Sequence, residues 1–182
     1  MNKIFILPYF GKYPDWLDQW IANMEYLNYD YIIYSSLKKF KQRVRDKLGI
    51  EPNIEGGTGK VWDYRPALGV LFEEEIKGYD YWGHTDFDCV YGDVDKYMPK
   101  EFDIWSNHHN YICGPWTIYK NDSWINNLFR LCPEWKEIME NPKALGWAER
   151  EYTKIVNEYC NVVYTFHQTK SQDDFSNLKF SI

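Results

Sequence analysis

The sequence predicts an α/β fold in which a mostly parallel central sheet is flanked by helices. Short apolar runs bounded by Pro and Gly alternate with longer segments whose apolar residues recur at three- and four-residue spacing. This alternation of strands and helices is typical of a parallel sheet whose strands are joined by crossover helices. The 182 residues fall within the usual size of one domain, so we expect a single domain over 1–182.

The first part of the chain carries a clear β-α-β order. Residues 3–7 form an apolar run that ends at Pro8, which predicts a buried strand. Apolar residues at helical spacing predict an amphipathic helix over 14–27, and a second strand follows over 29–34. A connection of helical length favours a parallel pair of strands with a right-handed crossover.

The remaining predicted elements continue the alternation. They are a helix over 38–48, a short strand over 52–54, a helix over 62–76, strands over 79–86, 102–106 and 117–119, helices over 123–131, 134–139 and 149–159, and a last strand over 162–166. The segment GGTGK at 56–60 lacks the leading glycine offset and the final hydroxyl residue of a phosphate-binding P-loop. We therefore interpret it as a hinge.

Composition and charge argue against several classes of function. A formal net charge of -6 disfavours a nucleic-acid partner, because binding a phosphate backbone needs a basic face. The chain has no apolar run near the ~20 residues of a membrane span and no signal-peptide pattern, so we expect a cytoplasmic protein. Its four cysteines form no CxxC pair, so neither a zinc site nor a disulfide framework is predicted.

Aromatic residues make up 19% of the chain. Rings with an apolar face and a polar edge suit stacking on sugars or bases, and a core rich in aromatic side chains is the alternative.

Asp86 and Asp88 lie at the end of the strand predicted over 79–86. Ligands of open α/β sheets collect at the carboxyl ends of strands. Two carboxylates one residue apart can turn toward one hard cation such as Mg²⁺ or Mn²⁺, which also takes ligands from substrate phosphates. A bound metal ion would explain how a protein with a net negative charge binds the anionic phosphates of a substrate. For the pair considered alone, an exposed acidic turn is the alternative.

Four motifs in a fixed order extend this interpretation: ILPYFG at 6–11, DYRPALG at 63–69, YDYWGHTDFDCVYG at 79–92 and GPWTIYKN at 114–121. Together they resemble a family of small bacterial and large-virus glycosyltransferases of the GT-A type, and the resemblance covers most of the chain. It implies a Rossmann-like GT-A domain that uses Mn²⁺ or Mg²⁺ and a nucleotide-sugar donor, with a UDP-sugar expected. It also implies that the acceptor is a glycan and that the protein acts in polysaccharide biosynthesis.

The resemblance implies that Asp86 and Asp88 hold the metal and the donor diphosphate, and that Asp63 and Arg65 contact the nucleotide or the phosphates. The guanidinium of Arg65 suits this role because it donates two parallel hydrogen bonds to phosphate oxygens. A surface ion pair with a nearby acid is the alternative for Arg65. The resemblance also implies that Pro8, Tyr9, Phe10 and Gly11 form a loop around the base and ribose of the nucleotide.

An inverting transferase, the type we expect, needs a carboxylate to deprotonate the acceptor hydroxyl. Glu149 is the candidate base and Asp93 the reserve candidate. A helix N-terminal acid favoured by the helix dipole is the alternative for Glu149. Ala148 departs from the family pattern, which more often has an acid at this position.

The acceptor side and a third metal ligand are predicted from single residues. Gly114 allows close approach to the backbone and Trp116 offers a stacking face, so both are candidates for the acceptor wall. A core position is the alternative for Trp116. His167 follows the last predicted strand and is a candidate metal ligand, with a surface histidine as the alternative. His84 is a candidate support for the metal site, or a buried hydrogen-bonded histidine.

Two other classes of function stay open. Clustered aspartates also serve metal-dependent phosphodiesterases, although these usually collect further His and Asp ligands around two metals. A non-catalytic domain that binds carbohydrate or nucleotide sugar is the second class, and the replacement at Ala148 favours it. The sequence also leaves open whether the chain forms an oligomer or is part of a larger enzyme.

Overall fold

The computed structural model describes residues 1–54, 59–108, 110–112 and 115–164, and one sheet runs through them. Its strands are β1 (Lys3–Pro8), β2 (Asp30–Tyr34), β3 (Tyr81–Thr85), β4 (Ile104–Ser106), β5 (Trp116–Lys120) and β6 (Val162–Tyr164). They form a six-stranded sheet in the order β2-β1-β3-β5-β4-β6. Within this sheet β5 runs antiparallel to β3 and β4, and the other neighbouring pairs are parallel. The predicted α/β class and mostly parallel sheet are confirmed.

Six α-helices pack around the sheet in the described ranges. They are α1 (Leu17–Tyr26), α2 (Leu37–Leu48), α3 (Leu68–Leu71), α4 (Ser123–Asn127), α5 (Trp135–Glu140) and α6 (Glu151–Tyr159). Short 3₁₀-helices cover Gly59–Ala67, Val94–Tyr97, Leu128–Leu131 and Trp147–Glu149. The longest helix, α2, has defined ends: the Ser36 hydroxyl caps its first turn, and Gly49 closes it with φ 67. None of these helices is long and apolar enough to cross a bilayer.

Two predicted elements differ from the structure. The strand expected over 52–54 is absent from the described chain there, and Ile54 is instead a buried residue of an irregular segment. The helix expected over 62–76 begins as the 3₁₀-helix Gly59–Ala67, continues as the single turn of α3 and ends as turns over 72–76. Pro66 lies inside it, and a proline lacks the N–H that α-helical hydrogen bonding needs. In the predicted hinge, residues 56–58 lie outside the described residues, as do residues 165 and 166 of the last predicted strand.

Both faces of the sheet are buried at β1, which is why this strand shows no polar alternation. Ile4 and Ile6 pack into one apolar cluster together with α2, whereas Phe5 and Leu7 pack into a second cluster together with α1. The strands β1 and β3 are parallel neighbours, with Phe5 opposite Gly83. Their carboxyl ends therefore meet at one edge of the sheet.

Candidate functional site

A cleft of about 320 Å³ opens where β1 and β3 end side by side. Pro8 and Tyr9 line it from the end of β1, and Asp86 and Asp88 line it from the end of β3. Its volume lies at the lower end of the range of about 300–1,000 Å³ that is usual for small-molecule sites. The sequence prediction that the acids lie at the carboxyl edge of the sheet agrees with this geometry.

Phe87 explains how both acids reach the same space. Phe87 lies between them in the sequence, and its buried ring packs edge-on against Tyr9 and Trp20, with centroid separations of 5.1 Å in each case. The chain leaves the extended conformation after Thr85, and burial of Phe87 holds the turn in place. Asp86 and Asp88 therefore project into the cleft from either side of one apolar anchor.

The loop after Asp88 is fastened to the rest of the protein through Asn23 and Tyr91. The Asn23 amide donates to the Tyr91 carbonyl at 2.7 Å and accepts from the Tyr91 N–H at 2.8 Å. The Tyr91 hydroxyl hydrogen-bonds Thr85 and the Pro115 carbonyl. Burial raises the pKa of Tyr91 well above its usual value, so the phenol stays protonated. The sequence does not predict that Asn23 and Tyr91 hold this loop in place. Asn23 is simply one polar residue on an amphipathic helix.

His84 and Cys89 complete the surroundings of the acids. His84 is buried at the end of β3 and lines the cleft, with its Nε2 3.4 Å from the Tyr119 hydroxyl. Burial raises the pKa of the Cys89 thiol to about 11. The thiol is therefore protonated near neutral pH, which argues against a nucleophilic role.

Arg65 faces the acids across the cleft. Its Nη2 donates to Oδ1 of Asp86, and the two side chains are 14% and 29% exposed. The alternative considered for Arg65, an ion pair with a nearby acid, is thus realised inside the cleft and with a candidate metal ligand. Two tryptophans that sequence patterns did not single out, Trp16 and Trp62, also line the cleft and are 50% and 52% exposed.

The loop predicted to surround the base and ribose divides into two pairs. Pro8 and Tyr9 line the cleft. Phe10 is a core residue, with its ring centroid 5.3 Å from that of Phe40, so the predicted ligand contact is wrong for this side chain. Gly11 is exposed and has φ +149, a conformation that residues with a Cβ rarely adopt.

Asp63 does not face the cleft, because its carboxylate is 1% exposed and bound by the protein itself. It accepts hydrogen bonds from Lys60 Nζ and from the backbone N–H groups of Leu145 and Gly146, each at 2.9 Å. The predicted contact with nucleotide or phosphate is therefore replaced by a structural role. The buried pair fastens the segment that leads into Glu149.

Glu149 borders a second cavity of about 50 Å³ that adjoins the cleft. Trp62, Arg65 and His84 line both spaces. The candidate base thus lines a cavity that shares three of its residues with the cleft of the carboxylate pair. Glu149 ends the short 3₁₀-helix Trp147–Glu149. This helix directly follows Leu145 and Gly146, whose backbone N–H groups donate to Asp63.

The remaining predicted site residues lie elsewhere. Trp116 is 1% exposed, and its ring centroid lies 4.5 Å from that of Phe5, so the predicted stacking face is wrong and Trp116 belongs to the core. Asp93 lies in a separate depression near the end of α1. Gly114 and His167 lie outside the described residues.

The two acids of the cleft fit a hard divalent cation. Mg²⁺ is usually bound through one or two carboxylates together with substrate phosphates, and both carboxylates here face one space. The described part of the chain brings no group of three or more His, Cys, Asp or Glu side chains into metal-binding positions. The further ligands of a cation at Asp86 and Asp88 would therefore come from phosphate oxygens and water.

These features define an α/β protein with a cleft at the carboxyl ends of two parallel strands of a mixed sheet, lined by two carboxylates and one guanidinium. The chain belongs to the family of unknown function DUF6625, which matches residues 5–181. No curated protein and no solved structure matches it.

Proposed function

We propose that the chain is a metal-dependent glycosyltransferase of the GT-A type that transfers a sugar from a nucleotide diphosphate donor, with a UDP-sugar expected, to a glycan. The observation that carries the proposal is the meeting of Asp86, Asp88 and Arg65 in one cleft at the carboxyl ends of two parallel strands. A diphosphate needs cationic partners in a protein of net charge -6. A divalent cation at the two acids would neutralise charge that develops on the leaving diphosphate.

Different residues of the chain contact different parts of such a donor. Arg65 binds phosphate oxygens, and the exposed rings of Trp16 and Trp62, with the partly buried ring of Tyr9, supply apolar faces for the base or the sugar. The buried Phe87 anchors the turn of the backbone that carries the two acids.

Glu149 is the proposed general base because it borders the cavity that adjoins the cleft. From there a carboxylate can take the proton of an acceptor hydroxyl as that oxygen attacks the anomeric carbon. Asp93 is the weaker candidate, since it lies in a different depression. A Glu149→Gln variant is expected to bind the donor normally and to turn it over about 10²–10⁴-fold more slowly.

The central test measures binding of a panel of nucleotide sugars by calorimetry in the presence of Mn²⁺, followed by assay of nucleotide diphosphate release. An Asp86→Asn/Asp88→Asn variant is expected to bind its best donor about 30-fold or more weakly, because losing the two carboxylates together is expected to cost about 2 kcal/mol or more. Glu73→Gln/Glu74→Gln, which removes the same formal charge from an exposed surface, is the matched control and should bind normally.

Each other outcome favours a different class of protein. If the variant that lacks both acids still binds the nucleotide sugar and turns it over, the proposal is wrong. Binding of a nucleotide sugar without any turnover would indicate a non-catalytic binding domain instead. Hydrolysis of phosphodiesters, with no selectivity for nucleotide sugars, would indicate a metal-dependent phosphodiesterase.

A further inference from the structure

The strand β2 forms one outer edge of the sheet, and within the described ranges β1 is its single neighbour. The Tyr9 N–H donates to the Tyr34 carbonyl at 3.0 Å, so Tyr34 turns its backbone groups toward β1. Successive residues of a strand turn these groups to opposite sides, so Ile32 also faces β1, whereas Tyr31 and Ile33 face away. The N–H and C=O groups of Tyr31 and Ile33 therefore form the free edge of the sheet.

This edge is well suited to pairing with another strand. It lacks features by which natural sheets commonly block edge pairing, namely a proline, a lysine or a β-bulge, since β2 pairs with β1 residue for residue. The last four of its five residues are aromatic or β-branched, and all four are partly exposed. The edge strand on the other side of the described sheet, β6, spans three residues. A longer free edge of high β-propensity is a template for a further strand.

A second copy of the chain fits this edge in the antiparallel orientation. When Ile32 lies on the two-fold axis, Tyr31 of each copy stands opposite Ile33 of the other. These are the two residues that face outward, so they exchange backbone hydrogen bonds across the axis. An aromatic side chain opposite a β-branched one is also a favourable cross-strand pair. Each β2 has one free edge, so this association closes at two chains.

The charges at the two ends of β2 favour the same orientation. Asp30 is exposed at the amino end. At the carboxyl end, Tyr34 lines a depression together with Lys39 and Arg43 of α2. Arg43 is engaged with Glu75, whereas Lys39 is exposed and forms no ion pair with a described residue. Antiparallel pairing places Asp30 opposite Tyr34 of the second copy and so beside these cations, whereas a parallel pair would bring the two Asp30 carboxylates together.

We propose that two copies of this chain associate through antiparallel pairing of their β2 strands, which joins the two sheets into one. The backbone groups of Tyr31 and Ile33 bind those of the second copy, and Asp30 and Lys39 supply complementary charges at both ends of the pair. Neither Asp30 nor Lys39 lines the cleft between β1 and β3. This surface is therefore separate from the cleft, and the proposed function does not depend on it.

The test measures association and then locates it. Sedimentation velocity of the purified chain over a concentration series is expected to show a shift from 22.0 kDa toward twice that mass. Amide hydrogen exchange followed by NMR identifies the contact. The N–H groups of Tyr31 and Ile33 are expected to exchange about tenfold or more slowly in concentrated than in dilute solution. The Ile32 N–H, which faces β1, is the internal reference and should change much less.

Charge reversals test the orientation of the pair. Asp30→Lys and Lys39→Asp each bring like charges together at both ends, so each is expected to weaken the dimer about tenfold or more. The double variant Asp30→Lys/Lys39→Asp restores opposite charges and is expected to dimerise within about threefold of the unmodified chain. Glu137→Lys/Lys136→Asp reverses two exposed charges on α5 and is the matched control, with no loss of association expected. Thermal unfolding checks that each variant keeps its fold, since Asp30→Lys also removes a hydrogen bond from the Tyr79 hydroxyl.

Three outcomes would overturn the proposed dimer. The chain could stay monomeric through the whole series. It could form a dimer that both charge reversals leave intact, or that leaves exchange at Tyr31 and Ile33 unchanged, because association would then use another surface. It could also form open assemblies larger than two chains, which pairing through β2 does not produce. Failure of the unmodified chain to bind any nucleotide sugar would instead count against the proposed function alone.

Discussion

Asp63 stands two residues before Arg65, yet the two side chains serve different parts of the molecule. Arg65 reaches into the cleft, whereas Asp63 is buried in an ion pair with Lys60. Lys60 Nζ also donates to the carbonyls of Ile138 and Lys143. The pair therefore joins the 3₁₀-helix Gly59–Ala67 to the segment that precedes Glu149.

At the residue scale, Asp63→Asn is expected to lower the free energy of unfolding by about 3 kcal/mol or more. The substitution leaves the buried ammonium of Lys60 without its counter-charge, and removing one partner of a buried pair commonly costs about 3–5 kcal/mol. Urea unfolding followed by tryptophan fluorescence measures the change. Asp15→Asn removes an aspartate that is 90% exposed and should stay within about 0.5 kcal/mol of the unmodified protein. Equal losses for the two variants would contradict this account of Asp63.

At the scale of elements, β3 determines where the acids of the cleft lie. It is packed closely between β1 and β5 at Gly83. A Cβ on this glycine would stand 2.7 Å from the Thr117 carbonyl oxygen and 2.8 Å from a ring carbon of Phe5. The close approach fixes β3 against its neighbours directly before the chain turns toward Asp86.

Gly83→Ala is therefore expected to destabilise the protein by about 1–3 kcal/mol, because the added methyl group forces the backbone or a core ring to move. Gly92→Ala is the control, since a Cβ there meets nothing within 4 Å and its φ is not in the left-handed region. Its effect should remain within about 0.5 kcal/mol. Thermal unfolding of both variants checks the difference, and a Gly83→Ala protein as stable as the control would show that the sheet yields at this point.

At the scale of the whole molecule, Arg43 joins α2 to the turn that follows α3. Its Nη1 donates to the Leu71 carbonyl and to Glu75, both at 2.8 Å, and its guanidinium lies 4.4 Å from the Phe72 ring centroid. The hydrogen bond from Arg43 lowers the pKa of Glu75 below its ordinary value. This contact connects the helical layer on one face of the sheet.

The lowered pKa of Glu75 makes the contribution of this contact depend on pH. The stability it contributes is present above the pKa of an unfolded glutamate, about 4.3, and is lost as pH falls through the lower pKa of the folded state. Glu75→Gln is expected to cost about 1 kcal/mol at pH 7 and less near pH 3, which is below the pKa of an unfolded glutamate, so that part of this stability has been lost. Urea unfolding at both values tests this expectation. Exposed Glu74→Gln is the control, and a Glu75→Gln effect that is equal at both pH values would contradict the prediction.

Local patterns in the sequence were enough to predict the main elements of the fold. The apolar run over 3–7 predicted β1 and the spacing of apolar residues over 14–27 predicted α1, because the pattern of apolar side chains that each element buries lies within a short stretch of chain. The position of Asp86 and Asp88 at the carboxyl edge followed from the same patterns, since they directly follow a strand in an α/β order.

Contacts between residues far apart in the sequence set the rest. Asp63 and Gly146 are 83 residues apart, and Arg65 and Asp86 are 21 apart, so no local period records either contact. Trp116 has the same ring whether it packs against Phe5 or stacks on a sugar. Burial depends on which elements come together, and that is why only the three-dimensional arrangement separates the residues that line the cleft from those that hold it in shape.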